Sequence, residues 1–344
     1  MKRMVLIFLC VVMLFVMATG CSKENPAQNT NKPSANDTAD EYPELTIRMG
    51  YPTGEGTAAH AGVLYFKELV EERSGGKIII DNYPGGVLGN QDELIQQVIA
   101  GTLDSANVGS VSAFSGYNDL ANIEDIPFLF ASQEEGDSAM DGPFGDALNE
   151  QIIEPLGLTL ISYWTNGMRH FTNNVRPIEK PEDMVGLKFR SGANPIRIEM
   201  FESFGAAVIP MSFSELFTAL QQGTVDGQEN PLSVITANNF NEVQKYVSLS
   251  GHSYASNPVF FNTKIFKSYP EKVQELLIAC AEEAKVYERS VVTKQDNEVL
   301  ENIDALGMTL SEIDRDAFIA SCEHVRKDFV ATYGDELLNL ALKK

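Results

Sequence analysis

Leu45, Ile47 and Met49 alternate with Thr46 and Arg48, and apolar positions at a period of two predict a strand. Residues 57–73 then take the 3.6-residue period of a helix, with Val63, Phe66, Leu69 and Val70 on one face and Gly75-Gly76 as its stop. A second strand at 78–83 is broken by Pro84-Gly85-Gly86. Asn90 with Glu93 makes a capping-box pattern ahead of Leu94, Ile95, Val98 and Ile99. Gly101 closes that helix, and 105–108 reads as a third strand. Strand, helix, strand, helix, strand is the order of a doubly wound α/β sheet.

Residues 123–130 are apolar around Pro127, which predicts an edge or crossover segment rather than a central strand. Helical periodicity covers 137–156, and a strand at 158–164 runs into Trp164-Thr165-Asn166-Gly167-Met168-Arg169. Pro177 and Pro181 punctuate a linker-like passage, so a change of lobe is expected near Asn166. Beyond it lies the stretch that organises the chain. Leu187 and Phe189 alternate with Lys188 and Arg190, and Arg190 stands at the carboxyl end of that strand, where α/β sheets place ligands. Ser212 and Glu215 form a second capping box for a helix that stops at Gly223. A short strand at 224–227 then delivers Gln228, Glu229, Asn230 and Pro231. Strands are predicted at 247–254 and 259–262, and a final helix at 311–333. Between them, 270–306 keeps helical periodicity without Gly or Pro, at 1.5 Å per residue about 50 Å of helix, long enough to cross two lobes. No internal repeat is visible.

The start of the chain reads differently. Lys2 and Arg3 precede an apolar run at 4–17, which is short for a membrane span of roughly 20 residues and fits a signal segment. Ala18-Thr19-Gly20-Cys21 looks like a bacterial lipobox, with cleavage before Cys21 and lipid on its sulfur; the alternative is an ordinary cleaved signal. Residues 22–43 carry no aliphatic side chain larger than Ala and are expected to be a disordered tether reaching roughly 25 Å. Export leaves Cys280 and Cys322 as either one disulfide or two buried thiols. No Cys-x-x-Cys or His-x₃-His spacing offers a structural zinc site, and no cofactor is expected.

Charge narrows the function. The 344 residues are 44% hydrophobic and carry a formal charge of −22, opposite in sign to the basic field that nucleic acid requires. An anionic ligand must therefore be caught by a local cluster of bases, and Arg169, Arg176, Arg190 and Arg197 fall close together in the chain.

These residues resemble the DctP-type extracytoplasmic solute receptors of tripartite ATP-independent periplasmic (TRAP) transporters. The resemblance runs from Leu45 to the final helix and is carried by Gly186-Leu187-Lys188-Phe189-Arg190, Met211-Ser212-Phe213-Ser214-Glu215-Leu216 and Val225-Asp226-Gly227-Gln228-Glu229-Asn230-Pro231. Leu88-Gly89-Asn90-Gln91, Asp125-Ile126-Pro127-Phe128 and Asn166-Gly167-Met168-Arg169 support it. It implies two doubly wound α/β lobes like those of periplasmic binding proteins, a ligand cleft between them and a long helix spanning both. The expected division is 44–166 with 255–295, and 167–254 with 296–344. By the same resemblance Arg190 pairs with a ligand carboxylate, Arg169 is a second arginine near it, Asn230 hydrogen-bonds the ligand and Phe213 walls the cleft. Gln91 stands where many members have an acidic residue and Gly109 where some sugar-acid receptors have Glu, which favours a simple organic acid. Trp164, the one tryptophan, either lines the cleft or seals the hinge. The implied partners are a small carboxylate, the TRAP permease subunits and, through Cys21, a membrane.

Two other classes stand beside this one. An exported enzyme needs a nucleophile–base pair or a metal set, and neither Gly-x-Ser-x-Gly nor His-Glu-x-x-His occurs. A receptor for another importer or for a sensor kinase would share the architecture, and neighbouring genes or co-purification would separate it.

Overall fold

The computed structural model describes residues 42–343, so the leader, Cys21 and the tether up to residue 41 lie outside it. Nine strands form one sheet: β1 (Leu45–Gly50), β2 (Ile78–Tyr83), β3 (Ser105–Asn107), β4 (Leu158–Asn173), β5 (Lys188–Ser191), β6 (Ala207–Pro210), β7 (Gly227–Asn230), β8 (Tyr246–Asn262) and β9 (Thr309–Glu312). Their order is β2-β1-β3-β8-β4-β7-β5-β6, with β9 on β8. The parallel groups β2-β1-β3 and β6-β5-β7 repeat one topology that no sequence repeat announces.

Two long antiparallel strands join these groups into two α/β lobes. β3 pairs with the end of β8 (Ser105 opposite Phe261), beside the start of β4 (Thr159 opposite Phe261). β7 pairs with the end of β4 (His170 opposite Asn230), beside the start of β8 (Thr172 opposite Val247). Each lobe therefore hangs from opposite ends of the β4–β8 ribbon. The strand expected to stop at Trp164 runs on to Asn173, because Gly167, at φ 119°, absorbs a bulge instead of breaking the ladder. Likewise the two strands predicted around Pro258 are one strand, β8. Pro258 has no N–H to lose, and its carbonyl accepts from Val108 N–H at 3.3 Å.

Other boundaries moved for local reasons. The segment Asp119–Asp125 is 3₁₀ and no strand follows before Gln133, while β6 and β9 lacked a signal because each is four residues long and partly exposed. Both capping boxes form: Asn90 N–H donates to Glu93 at 2.7 Å and Ser212 N–H to Glu215 at 3.1 Å.

The long helix, Glu271–Glu301, binds the halves together. Val273, Leu277, Cys280 and Ala284 pack with Val63, Phe66 and Val70 of helix Ala58–Arg73, whereas Val299 packs with Leu220 and Leu232 in a separate apolar cluster. Gly62 lets the two helices meet: a Cβ there would lie 2.8 Å from Glu288 Cγ and 2.9 Å from the Trp164 ring. Near its far end, Gln295 donates to the Gly56 carbonyl at 2.9 Å and Asp296 accepts from Ser233 N–H at 2.8 Å. Cys280 and Cys322 are separate buried thiols, which burial pushes up to about 11 and about 12.

Candidate functional site

β5 and β7 run parallel, with Phe189 opposite Gly227, so their carboxyl ends open on the same side. Arg190 comes from the end of β5, and Gln228, Glu229 and Asn230 lie within β7 rather than after it, three residues later than the sequence pattern placed the strand. Alternation puts Gln228 and Asn230 on one face, where the Asn230 amide donates to Gln228 Oε1, and Glu229 on the other. Arg169 arrives from β4, whose residues 170–173 pair with β7.

Three guanidiniums are buried here, and their partners differ. Arg169 donates through Nε and Nη2 to the Glu229 carboxylate, through Nη2 to the Glu229 carbonyl at 2.7 Å, and to Asn230 Oδ1 at 3.0 Å. Arg197, on helix Pro195–Ser203, pairs with Asp125 at 2.6 Å and reaches Glu229 at 3.4 Å. Burial works against the charge on Arg197, but Asp125 and Glu229 outweigh it and hold the guanidinium above its ordinary value. Burial would also raise the Glu229 carboxyl; Arg169 and Arg197 overcome it and keep it well below the usual carboxylate range.

Arg190 has no such partner. It is 6% exposed, and among the described residues its hydrogen bonds are two donations, from Nε at 3.1 Å and Nη2 at 2.9 Å, to one carbonyl, Met211. Burial, with no carboxylate in contact to offset it, pushes this guanidinium down to about 10. Charged-group hydrogen bonds to one carbonyl return about 1.5–3 kcal/mol, less than the several kcal/mol that desolvating the ion costs. Arg190 does not bridge to Glu229, because Arg169 and Arg197 occupy that carboxylate.

The other predicted residues divide. Phe213, half-buried, has its ring centroid 6.0 Å from the Arg190 guanidinium and packs edge-on to Phe240 at 5.8 Å. Gln91 accepts from Gly109 N–H at 2.9 Å through Oε1, and Asn166 donates to the Gly109 carbonyl at 3.0 Å, so these polar groups hold Gly109 by both its backbone polar atoms. Trp164 does not join a site. It is fully buried, its indole N–H donates to the Ala281 carbonyl at 3.0 Å, and Phe66 packs edge-on to it, which makes it core between the long helix and β4.

Four residues of the cluster went unassigned in the sequence: Arg197, Asp125, Glu124 and His252. Arg197 lay within the noted run of arginines, and Asp125 opened one of the motifs that carried the resemblance. Glu124 accepts from Ser256 N–H at 2.6 Å and Ser112 N–H at 3.1 Å, and burial pushes it up to about 7. His252 stacks on Phe171 at 4.3 Å, with Nε2 3.3 Å from Glu229 without hydrogen-bond alignment. Burial keeps its imidazole below the ordinary histidine value, against the pull of Glu229. Among the described residues no cluster of acids, histidines and cysteines is arranged to hold a metal.

The family model of bacterial extracellular solute-binding protein, family 7 (DctP), matches residues 49–332. The chain belongs to the DctP family. It is 35% identical over 274 residues, 79% of this chain and 83% of its relative, to the 2,3-diketo-L-gulonate-binding periplasmic protein YiaO of Escherichia coli K12. Among solved structures, a TRAP periplasmic solute binding protein from Polaromonas sp. JS666 bound to D-erythronate matches with a TM-score of 0.83 and 32% identity, over 88% of this chain and 99% of that one. A TRAP solute binding protein from Sulfurospirillum deleyianum with bound succinate matches with a TM-score of 0.81 and 28% identity, over 87% and 98%. The DctP family thus accounts for the two-lobed fold.

Asp125→Asn removes the nearer counter-ion of the buried Arg197 and leaves it only Glu229, at 3.4 Å. Urea unfolding should then show a loss on the order of 3 kcal/mol; a change under about 0.5 kcal/mol, the range of ordinary surface substitutions, would place the pair outside the core electrostatics.

Proposed function

We propose that this chain is an extracytoplasmic receptor that captures a small carboxylate, an organic acid or sugar acid, and delivers it to a TRAP-type secondary transporter. One observation carries the reading: Arg190 is buried without a carboxylate of its own, while its two neighbouring arginines each have one. A guanidinium offers two parallel N–H bonds to a carboxylate, so a ligand of that class supplies what the chain withholds. Asn230, held by Arg169, and Phe213, beside Arg190, contribute the polar and the aromatic contact. Gln91 keeps its amide N–H₂ for the ligand while Oε1 stays on Gly109. Among the relatives' ligands, diketogulonate and erythronate are sugar acids and succinate is a simple dicarboxylic acid, so the class extends beyond the simple acids that Gln91 and Gly109 favoured.

Capture proceeds by hinge closure. The lobes divide near Asn166 and Ala255, where β4 and β8 pass between them, and the ligand shifts the equilibrium only by its preference for the closed form. Closure excludes water and strengthens the ion pair as the local dielectric falls. The closed form is then what the permease reads.

Arg190→Ala should fold and lose at least about 100-fold in affinity, by calorimetry, for a carboxylate found in a thermal-shift screen of organic and sugar acids. Unchanged affinity in the folded variant contradicts the assignment. The lipobox pattern assigns Cys21 as the lipid anchor of an exported protein. Labelled palmitate fed to cells should be incorporated into the wild-type chain and not into Cys21→Ala; a wild-type chain that stays unlabelled would exclude that anchor.

A further inference from the structure

We propose that the site is matched in charge to a monoanion, so that the receptor takes acids with one carboxylate and rejects dicarboxylates of the same length. The inference rests on Arg190 being the ligand's partner. It comes from counting which charges around Arg190 are already neutralised.

Among the described residues the buried lysines and arginines are Arg169, Arg190 and Arg197. Glu229 takes Arg169 through two nitrogens, and Asp125 takes Arg197. Glu124, the third buried acid of the cluster, accepts from Ser256 and Ser112 N–H and pairs with no arginine, and burial pushes it up to about 7, so one guanidinium is left without a full counter-charge. Besides the buried Glu229, Arg169 and Arg197, the charge acting on Arg190 is that of Glu215, which is exposed and negative. Glu215 is kept ionised by Ser212, whose hydroxyl and N–H both donate to it, and by Arg190 itself.

Among the described residues, other bases do not fill the gap. His252 faces Glu229, Arg169 and Arg197, and burial holds its imidazole below the ordinary histidine value against the pull of Glu229, which disfavours its cation. Burial, His252 and Arg169 together hold His170 down to about 3, and its Nδ1 accepts a hydrogen bond from Gly251 N–H at 3.1 Å. Lys188 shares a strand face with Arg190 but is solvent-exposed at the opposite end of β5. A second carboxylate carried in with the first would lose its hydration with no base to meet it, and Glu215 would oppose it. Hydroxyl and carbonyl groups meet no such penalty, since neutral amides such as Asn230 can bond to them.

The test compares acids matched in length and differing at one end: galactonate with galactarate, and erythronate with tartrate. Each pair is run by thermal shift and calorimetry on the full mature chain, with monomethyl tartrate added to keep the length of tartrate at half its charge. The monocarboxylate of a pair should bind at least about tenfold more tightly, 1.4 kcal/mol, and the half-ester more tightly than tartrate. A dicarboxylate that binds as tightly as its partner, with both lost in Arg190→Ala, overturns the charge match and leaves Arg190 as the carboxylate partner. Affinity for every acid that survives Arg190→Ala, or stabilisation by neutral molecules only, overturns both.

Discussion

A guanidinium held in the interior without a counter-ion is costly, and much of this protein is arranged around keeping one. Arg190 sits at the end of β5 with a single backbone carbonyl for company, and the charges that could have neutralised it are engaged elsewhere. Glu229 is bound by Arg169 and approached by Arg197, and Asp125 is bound by Arg197. The neighbours thereby serve two ends. They satisfy themselves, and among the described residues they leave Arg190 as the one buried arginine without a carboxylate in contact. An isolated buried ion pair contributes little net stability; a buried ion lacking its partner is a reason for a partner to bind.

The scaffold explains how that cost is borne. Phe171, Phe189, Phe201 and Phe204 pack against one another under the cluster, and His252 stacks on Phe171 beside Glu229, so the acid that holds the two paired arginines is itself set against a rigid aromatic floor. The arginines come from different elements. β4 carries Arg169, β5 carries Arg190 and a helix after β5 carries Arg197, and the β4–β8 ribbon ties all three to the other lobe.

Much of this was legible in the sequence, and the gaps have physical causes. The period-two and period-3.6 patterns found β1, β2 and the helices between them because those elements bury one face against a core. Both capping boxes were legible because they are local. Pro258 and Gly167 misled, since a bulge and a missing N–H can be absorbed within a strand when its partner is long. Trp164 misled in another way: a lone aromatic near a hinge says nothing of which side it faces, and Gly62 on a distant helix decides that it is core. Arg190 could be named from its strand end and its motif. That it lacks a carboxylate could not, because its isolation depends on Asp125, far away in the chain, occupying Arg197. Pairings between remote residues carry no periodic signal.

The most direct test is a crystal structure of the mature protein with a bound carboxylic acid. The account predicts both carboxylate oxygens within hydrogen-bond distance of the Arg190 guanidinium, with Arg169 still on Glu229 and Arg197 still on Asp125. A carboxylate seated on Arg169 with Glu229 displaced, or a ligand bound well away from Arg190, would contradict it.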